Sequence, residues 1–343
     1  MGMTTSLGLR AAATEAAVRA GIARLRESTV YNRQGEPMIL SHVPDEALPP
    51  LISTLEQNPK LSARQRRMLQ LATPALQEAI SPLSQREGIP LVLAGPEPYP
   101  GQPPAFSQDY LGHLREQSEV PFSREASSVT LQGRAGGLVV LDTAMKLLHA
   151  RGFPYILVGG VDSYLDMRTL GMLDRDGRVH AAEVLDGFVP GEGAAFLLLS
   201  SSRNLPTSRG LAFLSAPGLG QEQGHRYSES PYLGNGLADA VRTAVQGIPE
   251  RSIHTAFTSL NGESFGAKEW GVASIRNSKV FHEKCRVEHP ADCFGDLGAA
   301  IGPVLIGLAT LGLRRGYVPG PRLIWCSSDG TTRAATLVSS DPL

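Results

Sequence analysis

The sequence predicts a duplicated α/β fold, and three observations carry that prediction. Helical patterns alternate with near-continuous apolar stretches such as Tyr155-Ile-Leu-Val-Gly-Gly160 and Phe196-Leu-Leu-Leu199. Strands of that kind are buried on both faces, so helices must cover both sides of the sheet. The second half also repeats the grammar of the first. Gly133-Arg134 opens a small-residue-rich helix that ends at Arg151-Gly152-Phe153 ahead of a buried strand, and Gly295-Asp296 opens one that ends at Arg315-Gly316-Tyr317 ahead of Arg322-Leu-Ile-Trp-Cys326.

Taken in order, residues Ala11 to Glu27 pattern as an amphipathic helix, and Ser62 to Ala79 as another, with Ser62 the cap and Met68, Leu69, Leu71 and Leu76 apolar. Ile89 to Ala94 reads as a short buried strand. Gly95 to Pro104 is a loop by its glycines and prolines, of the kind that rims a site or a partner surface. The central helix runs from Ala135 to about His149, with Leu138, Leu141, Met145 and Leu148 at three- and four-residue spacings. Arg151-Gly152 closes it with a cation and a glycine. Phe188-Val-Pro-Gly-Glu-Gly is a glycine turn feeding an apolar strand that ends at Leu199. Punctuation from Pro206 to Gly210 divides the chain into an N-terminal half, 1–205, and a C-terminal half, 206–343.

Composition excludes several function classes. The chain has 343 residues, 42% hydrophobic and 19% charged, with 32 basic and 33 acidic side chains and a net charge of −1. That balance gives no field to gather nucleic acid or a membrane surface. Leu297 to Leu313 is uncharged but short for a span and interrupted by glycines and a proline, so a buried helix is expected there. No secretory signal pattern opens the chain, and three cysteines, Cys285, Cys293 and Cys326, do not make a disulfide framework. A reducing cytoplasm is the expected location.

Several phrases, read in order, resemble the β-ketoacyl synthase family of the thiolase fold. They are Thr5-Ser-Leu-Gly-Leu9, the central helix with Gly159-Gly160-Val161-Asp162-Ser163, Asp186-Gly-Phe-Val-Pro-Gly-Glu-Gly-Ala-Ala195, Ser230-Pro-Tyr-Leu-Gly-Asn-Gly236 and Gly298-Ala299-Ala300. The stretch from Asp186 to Ala195 is the most specific. The resemblance implies two related halves in α/β/α/β/α layers, dimerisation through a core strand, and condensation of acyl thioesters by a cysteine and two histidines.

The departures from that pattern bear on function. Counting back from Gly160 puts Arg134 at the cysteine position, while Asn261-Gly-Glu-Ser264 stands at the first histidine phrase and Gly295 at the second histidine. The glycine-rich loop that helps form the oxyanion hole shortens to Cys326-Ser-Ser-Asp-Gly-Thr-Thr332, and the opening strand before the Thr5-Ser-Leu-Gly turn is expected to be missing. A guanidinium stays protonated and cannot act as a nucleophile. At a helix N-terminus it is also disfavoured, so an anion should compensate. Arg134 is therefore expected to fill the former acyl pocket against one of Glu192, Glu263, Asp296 or Asp329, or alternatively to bind an anionic ligand or partner carboxylate with them.

Other chemistry is weighed against this. His282, Cys285, His289 and Cys293 are soft ligands in a spacing that matches no closed zinc motif, so neither a metal nor another cofactor is expected. Cys293 is a candidate relocated nucleophile for an acyltransferase or thioesterase. Ser327-Ser-Asp-Gly330 lacks a nucleophile elbow and reads as a strand-end turn. Glu263, Lys268, Glu269 and Trp270 form a polar cluster that would line the residual pocket or else a solvated helix start. Asp162 and Asp186 are expected to hold the glycine loops.

The resemblance thus implies a catalytically silent binding or accessory scaffold. Two settings fit: association with bacterial type VI secretion effectors, towards which the changed turns and the short 1–130 region lean, or a non-catalytic subunit partnering an active β-ketoacyl synthase. The expected partner is a homodimeric copy or a heterodimeric thiolase-fold chain, with a protein cargo as a further option.

Overall fold

The computed structural model describes residues 1–84, 86–107, 109–150, 152–201, 210–317 and 319–343. The elements of the first half are β1 (Gly2–Thr4), α1 (Ala11–Arg19), β2 (Arg26–Tyr31), β3 (Pro37–Leu40), α2 (Ser53–Glu56), α3 (Ala63–Ile80), β4 (Pro90–Ala94), α4 (Tyr110–Ser118), β5 (Ser123–Thr130), α5 (Gly133–Ala150), β6 (Ile156–Ser163), α6 (Met167–Arg175) and β7 (Glu192–Leu199). The second half contributes β8 (Phe213–Leu214), β9 (Gly218–Gln221), α7 (Asn235–Ala244), β10 (Ile253–Thr258), α8 (Ser264–Arg276), β11 (Phe281–Glu288), α9 (Ala291–Phe294), α10 (Ile301–Arg314), β12 (Arg322–Ser327) and β13 (Thr332–Ser339).

The duplication read from the sequence is visible in the sheets. In the first, ordered β1-β7-β6-β4-β5, β4 runs parallel to β5 and β6 while β7 is antiparallel to β6 and β1. In the second, ordered β11-β10-β12-β13-β8, β10 is parallel to β11 and β12, and β13 is antiparallel to β12, β8 and β9. Each half thus sends its outermost parallel strand, β5 or β11, into the helix that leads to the centre of the molecule.

Those helices, α5 and α10, lie between the sheets and share one core with β6, β7, β12 and β13. Helices α3 and α4 cover the far side of the first sheet, and α7 and α8 that of the second. The five layers are α/β/α/β/α, as expected. Ile301, Val304, Leu305, Ile306 and Leu308 of α10 are all nearly inaccessible. Each such side chain contributes about 1.5–3 kcal/mol relative to exposure. Among the described residues no helix is long and apolar enough to cross a membrane, and most of the Leu297 to Leu313 run, from Ile301 on, is the buried helix α10. The two central helices touch closely because Gly137 has no side chain, where a Cβ would run into the Pro303 ring and the Ala299 carbonyl.

Ser62 caps α3 as expected, in a reciprocal pairing with Gln65. Three expectations are corrected. The first helix stops at Arg19, because the following backbone is claimed elsewhere: Arg24 N donates to Cys293 O at 2.8 Å and Arg26 enters β2. The late helix begins at Ile301 and not at Gly295, since Asp296 N and O bond to Val189 O and Gly191 N at 2.8 and 3.0 Å. A short opening strand is present after all: β1 pairs Met3 with Ala195 of β7 just ahead of the Thr5-Ser-Leu-Gly turn. Finally, Arg151 and the division at residues 205 and 206 lie outside the described residues.

Candidate functional site

The head of α5 carries the site. Its backbone there is capped from the other half of the chain: Ser328 Oγ, in the turn after β12, accepts from Ala135 N at 3.0 Å and donates to the Gln132 carbonyl. The Ser327 to Gly330 stretch is therefore a strand-end turn, as read, and its serine serves as a cap. The adjacent Asp329 is aimed at the first turn of α5.

Arg134 meets a ring of carboxylates. Its Nε donates to Asp296 Oδ2 at 2.8 Å and its Nη1 to Asp329 Oδ1 at 2.9 Å, with Glu263 Oε2 3.6 Å from Nη2. Arg134 is only 5% exposed and Asp296 2%. Burial alone would lower the affinity of Arg134 for its proton, but Asp296 and Asp329 outweigh it and hold the guanidinium charged. These anions answer the unfavourable placement of a cation at a helix N-terminus.

Two further arginines complete the cluster. Arg178 Nε and Nη2 donate to Glu263 Oε1 and Oε2 at 2.8 and 2.9 Å, and its Nη1 and Nη2 to Asp329 at 2.7 and 3.0 Å. Arg226 Nη2 sits 2.9 Å from Glu263 Oε1. Asn261 Nδ2 bridges Asp296 Oδ2 at 2.8 Å and Glu263 Oε2 at 3.1 Å. The Phe188 ring lies beneath both inner cations, 5.3 Å from the Arg178 guanidinium carbon and 6.0 Å from that of Arg134. Three arginines thus face Glu263, Asp296 and Asp329 in charge balance. Burial opposes ionisation of Asp329, yet Arg134, Arg178 and Arg226 hold its carboxyl well below the ordinary range.

The proline-rich loop rims this cluster. Glu97 Oε2 accepts from Asp329 N at 3.0 Å and Oε1 from Gly330 N at 2.9 Å. Burial and the neighbouring Asp329 push the Glu97 carboxyl upward. From below, Arg333 Nη1 donates to the carbonyls of Ser328, Gly330 and Thr332, while its Nε pairs with Glu269 at 2.5 Å, both side chains inaccessible.

Of the sequence-picked residues, Arg134, Asn261, Glu263, Asp296 and Asp329 come together. Glu192 does not. It is buried on β7 against Arg67 Nε at 3.0 Å, Val43 N at 2.9 Å and Ser163 Oγ at 2.9 Å, so its charge is already spent. Gly295 has φ 72 and stands 2.7 Å, by its virtual Cβ, from the Val189 carbonyl; it shapes the turn, and the next residue, Asp296, supplies the side chain. The cluster around Lys268 divides: Glu263 faces the site, whereas Glu269 turns to Arg333 and Trp270 stacks on Trp325 at 5.3 Å. Asp162 and Asp186 do hold glycine loops and helix ends, accepting from Ala299 N at 3.0 Å and Ser264 N at 2.6 Å. Sequence reading missed Arg178, Arg226 and Glu97. The signal was an excess of four candidate carboxylates over one arginine.

No thiol is placed for chemistry in this cluster. Cys326 is fully buried on β12, and burial pushes its thiol far upward despite Arg134. Cys293, half-buried on α9, is raised by burial and then by Asp292 and Glu288, and the nearby His289 is held by Asp292 at 2.8 Å. His282 stacks on His254, with ring centroids 4.4 Å apart, and among the described residues no group of three or more His, Cys, Asp or Glu is placed to hold a metal ion.

The chain has clear relatives. Residues 126–204 match the model of the beta-ketoacyl synthase N-terminal domain. Over 214 residues it is 29% identical to "Actinorhodin polyketide putative beta-ketoacyl synthase 2" of Streptomyces coelicolor, a match covering 57% of this chain and spanning half, 50%, of that relative. Its backbone superposes on the ishigamide ketosynthase/chain length factor with TM-score 0.74 at 16% identity, covering 99% of this chain and 98% of that one. It superposes on a ketosynthase from module 6 of the bacillaene synthase of Bacillus subtilis with TM-score 0.76 at 16% identity, covering 100% and 72%. A ketosynthase in complex with its chain length factor from Xenorhabdus doucetiae gives 0.72 at 17%, covering 98% and 96%. At these identities the structural likeness speaks for the fold and the sequence matches for a resemblance: the chain has the thiolase-like fold and is similar to β-ketoacyl synthases.

Proposed function

We propose that the chain is a non-catalytic ketosynthase-like subunit that holds a thiolase-fold partner. One observation carries this reading: at the head of α5, the place the resemblance gives to the family's cysteine, Arg134 is held between Asp296 and Asp329. Thioester condensation needs a thiolate of lowered pKa and preorganised donors for the developing oxyanion. Here the helix head faces three carboxylates, which oppose an enolate or oxyanion, and Arg134, Arg178 and Arg226 point at those carboxylates.

The partner surface is the outer edge of β5. Among the described residues that edge carries no strand, and a second chain's strand there would extend the five-stranded sheet. The ketosynthase and chain length factor pairs among the structural relatives support a subunit of this kind over an accessory to secretion effectors.

Intact-mass measurement after incubation with acetyl- and malonyl-thioesters, with Cys293→Ala as control, tests the silent site. No acyl adduct and no thioester loss are expected; a stable adduct that vanishes in the control makes this an enzyme with a relocated nucleophile. Sedimentation tests the surface. The chain is expected to run as a dimer that Val129→Glu, in exposed β5, converts to monomer, whereas a monomer before substitution reserves β5 for a different thiolase-fold chain.

A further inference from the structure

The second sheet ends in an open strand that the proposed subunit pairing leaves unused. β11 pairs with β10 in parallel and, among the described residues, has no strand on its outer side. In the duplicated strand order it is the counterpart of β5. Unpaired edges of this length are ordinarily blunted or covered, because their free N–H and C=O groups template another strand.

An open groove of about 520 Å³ runs beside this strand. Its apolar side is formed by Trp270, Phe281, Cys285 and Val287, with Trp270 standing edge-on to Phe281 at 5.6 Å. The charges around it are lopsided. Glu283 and Glu288 are already paired, with Arg251 at 2.9 Å and Arg286 at 3.3 Å. Lys279 on the rim and Lys284 on the strand have no ion-pair partner among the described residues, against one unpaired rim carboxylate, Glu250.

The strand's own alternation sorts these features by face. Phe281, Glu283, Cys285 and Val287 line the groove, with His282 at its end, while Lys284 and Arg286, both exposed, lie on the other face with Glu288. A strand laid along β11 would therefore meet Phe281, Cys285 and Val287 with one set of side chains, and with the other the unpaired ammonium of Lys284 beside the Arg286–Glu288 pair. We propose that β11 receives an extended acidic segment of a partner protein, alternating apolar and acidic residues, that adds to the sheet as an edge strand. Backbone bonding supplies the attachment, the groove selects apolar residues at alternate positions, and Lys284 on the strand with Lys279 on the rim disfavours basic strands. The surface is separate from β5 and from the Arg134 cluster, so it stands whichever partner β5 takes.

The probe is a fluorescein-labelled peptide of about ten residues alternating Val or Leu with Glu, compared with the same peptide carrying Lys for Glu. Anisotropy is expected to show the acidic peptide binding about tenfold or more tighter than the basic one, with weaker binding as salt rises. Amide exchange should slow along β11 when it binds. Lys284→Glu and Val287→Glu, at exposed positions, should each weaken binding about fivefold or more with an unchanged thermal midpoint. Equal binding of the two peptides, or binding that protects no β11 amide, overturns the proposal. So does protection of β11 that grows with protein concentration alone, which would assign the edge to a second copy of this chain.

Discussion

Arg134 Nε donates to Asp296 Oδ2 across 2.8 Å, and the bond ties the head of α5 to the turn before α10, 162 positions away. Neither group is fully compensated by its own half of the chain. Arg134→Ala leaves Asp296 and Asp329 facing each other in a buried site with Arg178 and Arg226 as their remaining cations. Breaking a buried pair in this way costs about 3–5 kcal/mol. Denaturant unfolding should register that loss, and a change within 1 kcal/mol or so would show the cluster to be far wetter than its burial indicates.

Placing a thiol at the head of α5 should not create condensing chemistry. In Arg134→Cys the sulfur would stand at the helix head beside Glu263, Asp296 and Asp329. Carboxylates raise a thiol's pKa and oppose the helix dipole. Alkylation by iodoacetamide at neutral pH is expected to be slow, and acetyl-thioester to give no adduct at position 134. Rapid, selective acylation there would mean that the condensing machinery survives and lacks only its nucleophile.

The acid side of the stability profile follows from two carboxyls shifted in opposite directions. Asp329 is held low, so its contribution is present above its unfolded value of about 3.9 and is lost as pH falls through the lower folded value. Glu97 is held high by burial and Asp329, so ionising it costs stability, and that cost is relieved as pH falls through its raised value. Calorimetry should show a thermal midpoint that is flat or slightly rising from pH 7 towards 5, then falling below about pH 4. The acid limb should be shallower in Asp329→Asn. A midpoint that falls steadily from neutrality would contradict both assignments.

Beneath the site, Glu269 and Arg333 form an ion pair with neither side chain accessible. Glu269→Met strands a buried guanidinium and should cost about 3–5 kcal/mol. The double variant Glu269→Met, Arg333→Met should lose clearly less than the sum of the two single losses, as a double-mutant cycle would measure. Additive losses would mean that the pair is not coupled and that Arg333 acts only through the carbonyls of the Asp329 turn.

Much of the architecture was legible because periodicity and small-residue helices report burial directly. The capped start of α3 at Ser62, the buried run of α10 and the repeated helix-strand order all read through. The elements that misled are those whose backbone is decided by distant partners: residues after Arg19 are drawn to Cys293 O, and Asp296 is drawn into pairing with Val189 and Gly191. The site was half legible. Arg134 was conspicuous because a cation opens a helix, and an anion had to answer it. Arg178 and Arg226 lie in loops with no period, and Glu192 resembled the other acids until Arg67 was seen to claim it.

The shared layer between the sheets has a thermodynamic consequence. α5 and α10 press together at Gly137 and Pro303, and each helix is walled by the other half's sheet as well as its own. Cut in two, the chain would give fragments that each expose an oily face no solvent can satisfy, so neither melts nor refolds on schedule by itself. Heat should therefore take the whole molecule apart in one step, and a lesion in either repeat should lower the same single transition.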